Sequence, residues 1–437
     1  MSHATFNAPD LTTFCRLDDL GLVATGQRIE PARAVIECRV VDSDDDRWCR
    51  RCGGEGKVRD TIVRRLAHIP LGWRPTVLWV RARRYRCADC AHVWTQDTGR
   101  AAEPRACLSR GGLRWALEGI VVQHLTMARV AEALGVAWNT ANDAVLAEGH
   151  RVLIADPTRF EQVTTIGVDE HVWRHTRKGD KYVTVIIDLT PVRNDTGPAR
   201  LLDMVEGRSG DVFATWLKAR PQAWRDRIEV VAMDGFTGFK TASAENLPDA
   251  IEVLDPFHVV QLAGEALDRC RQRVQQKTLG HRGRSGDPLY GIRRVLRTRQ
   301  TLLTTRQRTR LAAVFGCDEH LQVEVTYFFY QQIMAAYHQP KPKAGKKLLT
   351  QLIGKIGRGV PTMLPELGKL GRTLKRRAVD ILAYFDHPHT SNGPTEALNG
   401  RLEHLRGSAL GFRNITHYVA RSLLETGGFR PALHPGL

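Results

Sequence analysis

Three acids, far apart in the chain, stand where carboxylates could hold a divalent cation. Asp169 lies inside the apolar run "VTTIGVDEHVW", Asp234 closes "RIEVVAMDGF", and Glu396 opens the stretch "SNGPTEALNGRLEHLR". A carboxylate within an apolar strand is costly unless a counter-charge or a metal meets it. Two carboxylates at close range ionise together only with a cation between them, and hard oxygen ligands suit magnesium or manganese. Pro394 reads as a first-turn residue behind Asn392 or Gly393, so Glu396, Asn399 and Glu403 fall at i, i+3 and i+7 of one helix. Taken alone, Glu396 is equally served by the helix dipole, which favours a first-turn acid by about 0.3–1 kcal/mol. A second donor set is sulfur: "CRRC" (Cys49, Cys52) and "CADC" (Cys87, Cys90) are two knuckles of two thiols each, the number a closed tetrahedral zinc site needs. His92 is a substitute ligand, and reduced structural cysteines are the blander alternative; Cys15, Cys38 and Cys107 read as packing residues.

Elements must bring these donors together. The alternation in "TVLWVRARRYRC" predicts a strand that carries the second knuckle back to the first. From residue 164 onward, "VTTIGVDEHVW", "KYVTVIIDLT" and "ARLLDMVEG" predict three strands joined by short turns; "SGDVFATWLKAR" has helical periodicity, and "RIEVVAMDGF" and "AIEVLDPFHVV" add two buried strands. The result is a mixed α/β sheet in which the first and fourth strands can be neighbours, with Asp169 beside Asp234. Asp255 and His258 end the fifth strand. Between the sulfur module and this sheet, "MARVAEALGVAWNTANDAVLAEGHRVL" breaks its helical period at Gly135, which predicts a helix, a turn and a second helix from Trp138. That is the pattern of a helix-turn-helix or of any helical hairpin.

The charge balance selects the partner. A formal net charge of +17 points to a polyanion, nucleic acid before a membrane surface. Residues 269–310 hold 13 Lys or Arg against one acid, Asp287, which predicts a positive arm with Arg293, Arg294 and Arg297 as DNA contacts. Arg81, Arg83 and Arg84 around the second knuckle, and Asn139, Thr140 and Asn142 in the second hairpin helix, are the other DNA-contact candidates; a solvated basic face is the alternative for the arginines. "QPKPKAGKK" (339–347) reads as an exposed linker. No apolar run approaches the length of a bilayer span and no secretion signal opens the chain, so a soluble cytoplasmic protein with reduced thiols is expected.

The set "GVDEHVW", "VVAMDGF", "DPFHVV" and "NGPTEALNGRLE", behind the cysteine knuckles and the helical hairpin, resembles the bacterial insertion-sequence transposases of the ISL-three family. The resemblance implies a multidomain α/β protein: an N-terminal segment with a zinc ribbon (1–105), a helix-turn-helix DNA-binding domain (106–158), a ribonuclease-H-like core (159–258), a basic helical insertion (259–385) and the rest of the core with the third acid (386–437). It implies that Asp169, Asp234 and Glu396 are a DDE triad holding Mg2+ (or Mn2+), with Asp255 as the alternative middle acid and Asp255, His258 and Asn399 as site support. The activity implied is cleavage at the element's terminal inverted repeats and strand transfer into target DNA, by a nucleoid-associated homodimer or higher assembly. A DNA-binding regulator with an inactive core and a structure-selective nuclease on the same fold are the competing readings.

Overall fold

The structure, a computed structural model, describes residues 10–176 and 181–434. The chain forms two compact units: residues up to 157 together with those from 405 onward, and residues 158–404.

The first unit is built on a five-stranded sheet. Strands β1 (Leu22–Ile29), β2 (Ala34–Val40), β3 (Gly56–Leu71), β4 (Arg74–Cys87) and β5 (Val93–Thr95) are ordered β1-β2-β4-β3, with β5 also on β4. The long β3/β4 hairpin turns at Gly72, whose φ of +63° is a conformation that L side chains rarely adopt. Its register pairs Gly56 with Cys87, so the antiparallel ladder carries the second knuckle back to the first. Helix α1 (Arg110–Val121) follows, then α2 (Met127–Leu134) and α3 (Trp138–Gly149). Thr126 caps α2 by accepting the Arg129 N–H, and Gly135 ends it in the left-handed conformation at φ +65°. The segment after residue 405 packs here: Gly149 of α3 has no room for a side chain against Leu424.

The second unit holds β6 (Thr165–Val172), β7 (Tyr182–Asp188), β8 (Arg200–Glu206), β9 (Val230–Met233) and β10 (Ile251–Leu254) in the order β10-β9-β6-β7-β8. β6, β7 and β8 form the antiparallel meander, whereas β6, β9 and β10 run parallel. Alternation along β6 sends Ile166 and Val168 into a core with Phe213 and Trp216 of α4 (Gly210–Lys218) and Phe239 of α5 (Thr237–Asn246). Each such buried side chain stabilises the fold by about 1.5–3 kcal/mol. After β10, the chain is helical: α6 (Pro256–Leu279), α7 (Thr305–Phe315), α8 (Leu321–Tyr337), α9 (Pro342–Gly357), α10 (Pro365–Arg376) and α11 (Ala378–Asp386) share one apolar core. The segment 339–347 is therefore only partly the linker its composition suggests. Pro342 occupies the first helical position, where its missing N–H costs nothing, and Lys343, Lys346 and Lys347 ride on the first turns of α9. Helix α12 (Gly393–Ser408) begins in this unit and its last residues, from 405, belong to the first, as does α13 (Ile415–Thr426).

Candidate active site

Parallel pairing of β6 with β9 places Val168 beside Met233, so the next residues, Asp169 and Asp234, stand at neighbouring positions on adjacent strands. On the other flank, Leu254 pairs with Met233 and the Asp255 N–H donates to the Met233 carbonyl at 2.9 Å, which lines up a third acid. The helix carrying Glu396 reaches this edge because of a glycine. A side chain at Gly167 would meet Ile187 Cγ1 at 2.8 Å, Thr395 Oγ1 at 3.0 Å and Asn392 Oδ1 at 3.1 Å, so only hydrogen lets the start of α12 lie on β6. Asp169, two residues on, shares that face, and the Asn399 Nδ2 donates to Asp169 Oδ2 at 2.9 Å.

Asp169 is half-buried, and its other oxygen accepts the Glu170 N–H at 2.8 Å. Burial pushes its carboxyl up to about 7; the Glu170 N–H bond resists, while the charges of Asp234, Glu170 and Glu396 add to the rise. Burial and the Asp255 charge also lift the Glu396 carboxyl, which lies at the surface. Asp234 Oδ1 accepts the Phe236 N–H at 2.8 Å. Asp255 is placed differently: it is 3% exposed, one oxygen accepts the Asn392 N–H at 2.8 Å, and the other caps α6 through the His258 N–H at 3.1 Å. Both its oxygens tie backbone together. Burial raises its pKa, with those two N–H bonds opposing. His258 packs so closely on Gly235 that a side chain there would meet Nε2 at 2.2 Å.

Residues 166–422, more than half of the chain, match the family described as "Transposase", the ISL3 group of DDE transposases. The chain belongs to the ISL-three transposase family. It is 29% identical over 328 residues, 70% of its own length and 69% of the other's, to the transposase for insertion sequence element IS1557 of Mycobacterium tuberculosis. It is 24% identical over 388 residues, covering 85% of itself and 87% of the relative, to the transposase for insertion sequence element IS1001 of Bordetella parapertussis. Among solved structures, the Drosophila P element transposase strand transfer complex aligns at a TM-score of 0.39 and 10% identity, over 74% of this chain and 92% of that one, a likeness too low to establish a shared fold.

In this transposase the four knuckle thiols also meet. Cys49 and Cys90 sulfurs lie 3.6 Å apart, Cys52 is 3.4 Å from both Cys87 and Cys90, and all four fall within 4.8 Å of one another, the one such donor cluster among the described residues. Tetrahedral zinc with bonds of about 2.3 Å sets sulfurs about 3.8 Å apart, close to this spacing. His92 stacks on Trp94 and leaves the four-sulfur set complete. Cys38 is buried as expected of a packing residue, whereas Cys107 is exposed.

The DNA-contact candidates divide. Arg81 pairs with Glu37, Arg83 with Asp42 and Arg84 forms two 2.6 Å bonds to Asp60, its partner across the β3/β4 ladder. These guanidiniums have carboxylate partners within the sheet. Asn139 is exposed and Thr140 half-buried, but Asn142 is 3% exposed with its Nδ2 on Asp143, so it faces the helical core and not a groove. The helical period put it on the inner face with Ala141 and Val145, a side that polarity alone does not reveal. Arg294 and Arg297 are exposed, and Arg293 lies 4.0 Å over the Tyr290 ring. Elsewhere in the basic segment, Arg271 is buried against Asp268 and Gln275, and Arg273 is bonded to Glu366 and Gln322. No helix among the described residues is long and apolar enough to cross a membrane.

Proposed function

We propose that this transposase cuts DNA at the ends of its element and joins the freed ends to a target, with Asp169, Asp234 and Glu396 holding divalent metal. The observation that carries this is the register of β6 on β9, which sets two acids side by side at parallel strand ends beneath the helix bearing the third. The order of the strands and the helix over them fit a ribonuclease-H-like core. Hard carboxylate oxygens suit magnesium or manganese, and the donors left over support its presence: Asn399 Oδ1 is buried with no partner among the described residues, and Asp169 carries the mutual repulsion of its neighbours. Two such ions, held by Asp169, Asp234 and Glu396, would supply the chemistry of a two-metal site. When bound, such ions activate the attacking hydroxyl and stabilise the leaving oxygen of a phosphodiester.

The chain's own residues fix the geometry. Asn399 orients Asp169 through Oδ2, the Phe236 N–H orients Asp234, and Asp255 joins the end of β10 to the start of α12 so that Glu396 stays in reach. Asp255 is thereby a positioning residue and Asp234 the middle acid. The Cys49, Cys52, Cys87, Cys90 set would hold zinc and make the ribbon rigid, and α2 with α3 is a helix-turn-helix that presents Trp138, Asn139 and Thr140 to duplex DNA. Arg294 and Arg297 extend the phosphate-binding surface. Two ends must be joined in one event, so the active species is at least a dimer.

The test is cleavage of an oligonucleotide carrying the inverted repeats that flank the gene, with and without magnesium. Wild type is expected to give products of defined length, and Glu396→Gln to bind the same DNA without cutting it. Cleavage by Glu396→Gln at the wild-type rate removes the assignment, and binding without cleavage by wild type returns the regulator reading.

A further inference from the structure

Beside Asp234 the second unit has a cavity of about 500 Å³, whose lining includes the apolar Leu254, Leu262 and Ala244 and the cations Lys240, Arg376 and Arg377. Gly235, the residue after Asp234, is part of the lining, and so is the acid Glu245. The cations are held unequally. Lys240 lies 2.8 Å from both oxygens of Asp380, and Arg377 Nε reaches the same carboxylate at 2.7 Å. Arg377 Nη1 donates to the Gly235 carbonyl at 3.4 Å, a direct tie to the residue after Asp234, and its Nη2 is buried with no partner among the described residues. Arg376 is exposed, with no carboxylate partner among the described residues. The lining thus combines braced cations with apolar side chains, with bonding capacity left over.

A bare phosphate would leave the apolar lining unused and most of the volume empty, and an apolar ligand would leave the guanidiniums unanswered. A nucleotide satisfies both: its base covers leucine side chains, its phosphate takes charge-assisted bonds from arginine, and the cavity lies within the roughly 300–1,000 Å³ of small-ligand sites. We infer that this cavity is a nucleotide subsite, and that its occupant is a nucleotide of the substrate DNA unstacked from the duplex beside the scissile phosphate. The inference rests on the proposed function for the identity of the DNA. Unstacking costs a few kcal/mol and is offset by burial of the base, so the subsite would open the duplex where the acids need access to the backbone.

The experiment places 2-aminopurine, one position at a time, around the cleavage point of the element-end oligonucleotide, and reads its fluorescence on binding to the Glu396→Gln protein, with cleavage by wild type measured in parallel. Strong dequenching at one position is expected in that background, lost when Leu262→Trp is added to fill the cavity. Arg376→Ala, an exposed change that leaves the fold alone, is expected to weaken the dequenched complex about tenfold. A separate arm measures a fluorescent nucleoside triphosphate without DNA: saturable binding reduced by Arg376→Ala, with no dequenching in the DNA arm, keeps the subsite and makes a free nucleotide its source. Cleavage by wild type with neither signal, or with signals that both variants leave unchanged, overturns the subsite while the proposed function stands. Absence of cleavage strikes the function instead.

Discussion

Replacing Gly167 by alanine tests the idea that one hydrogen atom sets the distance between the sheet and the helix of the third acid. The new Cβ would lie 2.8 Å from Ile187 Cγ1, where carbon atoms in contact sit near 3.5 Å or more, and it would press on the Thr395–Asn392 pair at 3.0 and 3.1 Å. Relief requires about 0.7 Å from Ile187 on β7 and a few tenths of an ångström from the start of α12. If α12 moves, the 2.9 Å Asn399–Asp169 bond lengthens and weakens, and Glu396 shifts with it. Overpacking of this kind costs about 1–3 kcal/mol, so the melting temperature is expected to fall by several degrees without loss of the fold. A misplacement of about 1 Å at a reacting centre costs about a hundredfold in rate, so a shift of a few tenths of an ångström is expected to slow cleavage by roughly 3- to 10-fold while DNA binding persists. Thermal melts and single-turnover cleavage read the two effects separately. A Gly167→Ala protein that melts lower but cuts as fast as wild type refutes the coupling, because β7 would then have absorbed the whole shift.

Asn399→Leu removes the donor to Asp169 without adding charge, and a lost hydrogen bond to a charged group of about 1.5–3 kcal/mol predicts a 10- to 150-fold slower cleavage at unchanged affinity for DNA. Protein purified without chelators is expected to carry about one zinc per chain, measured by plasma mass spectrometry, and Cys52→Ser to lose it; a metal-free wild type ends the ribbon assignment. His68 provides a pH signature: it is 3% exposed with Nδ1 2.7 Å from Ser109 Oγ, and burial holds its pKa below the ordinary 6.5, a backbone bond at Cys15 opposing. The unfolded chain therefore takes up this proton as pH falls past about 6.5 while the folded chain does not, so its contribution is whole above that pH and declines below it. His68→Phe is expected to flatten the fall in melting temperature between pH 7 and 5; an unchanged slope assigns it to other groups.

The second unit's sheet was legible because its strands are short apolar runs with few competing patterns: all five fall on "VTTIGVDEHVW", "KYVTVIIDLT", "ARLLDMVEG", "RIEVVAMDGF" and "AIEVLDPFHVV". The helical hairpin was equally plain, since Thr126 and Gly135 are cap residues with a local mechanism. What the sequence hid depends on contacts across long separations. Gly167 and Gly235 look like ordinary strand-end glycines until the atoms that would collide with a side chain are known. The basic arm looked uniform, yet Arg273 is tied to Glu366 on another helix and Arg271 to Asp268, one residue outside the stretch that was counted, so neither carboxylate registers in the local charge count. Asn142 was misread for the complementary reason: its amide suggested a base contact, and only its place on the buried face of α3 removes it from the surface.

The separation of Glu396 from the other acids raises a mechanical question: the helices between β10 and α12 must not loosen the site. Closing a long segment costs little more than closing a short one, since the entropy grows only with the logarithm of length. Precision then depends on how the ends are anchored. One anchor is Asp255, whose carboxylate joins the start of α6 to the Asn392 N–H at the foot of α12. The other is Asp380 on α11, its side chain 4% exposed, which receives Lys240 from α5 and Arg377, the residue just before its own helix. Removing one partner of a buried ion pair costs about 3–5 kcal/mol, less where, as here, a second cation remains. Both anchors are nearly fully buried carboxylates that hold separate segments together, whereas the charges felt by Asp169 and Glu396 are those of other acids. That contrast separates the acids that brace the site from those left to meet a cation.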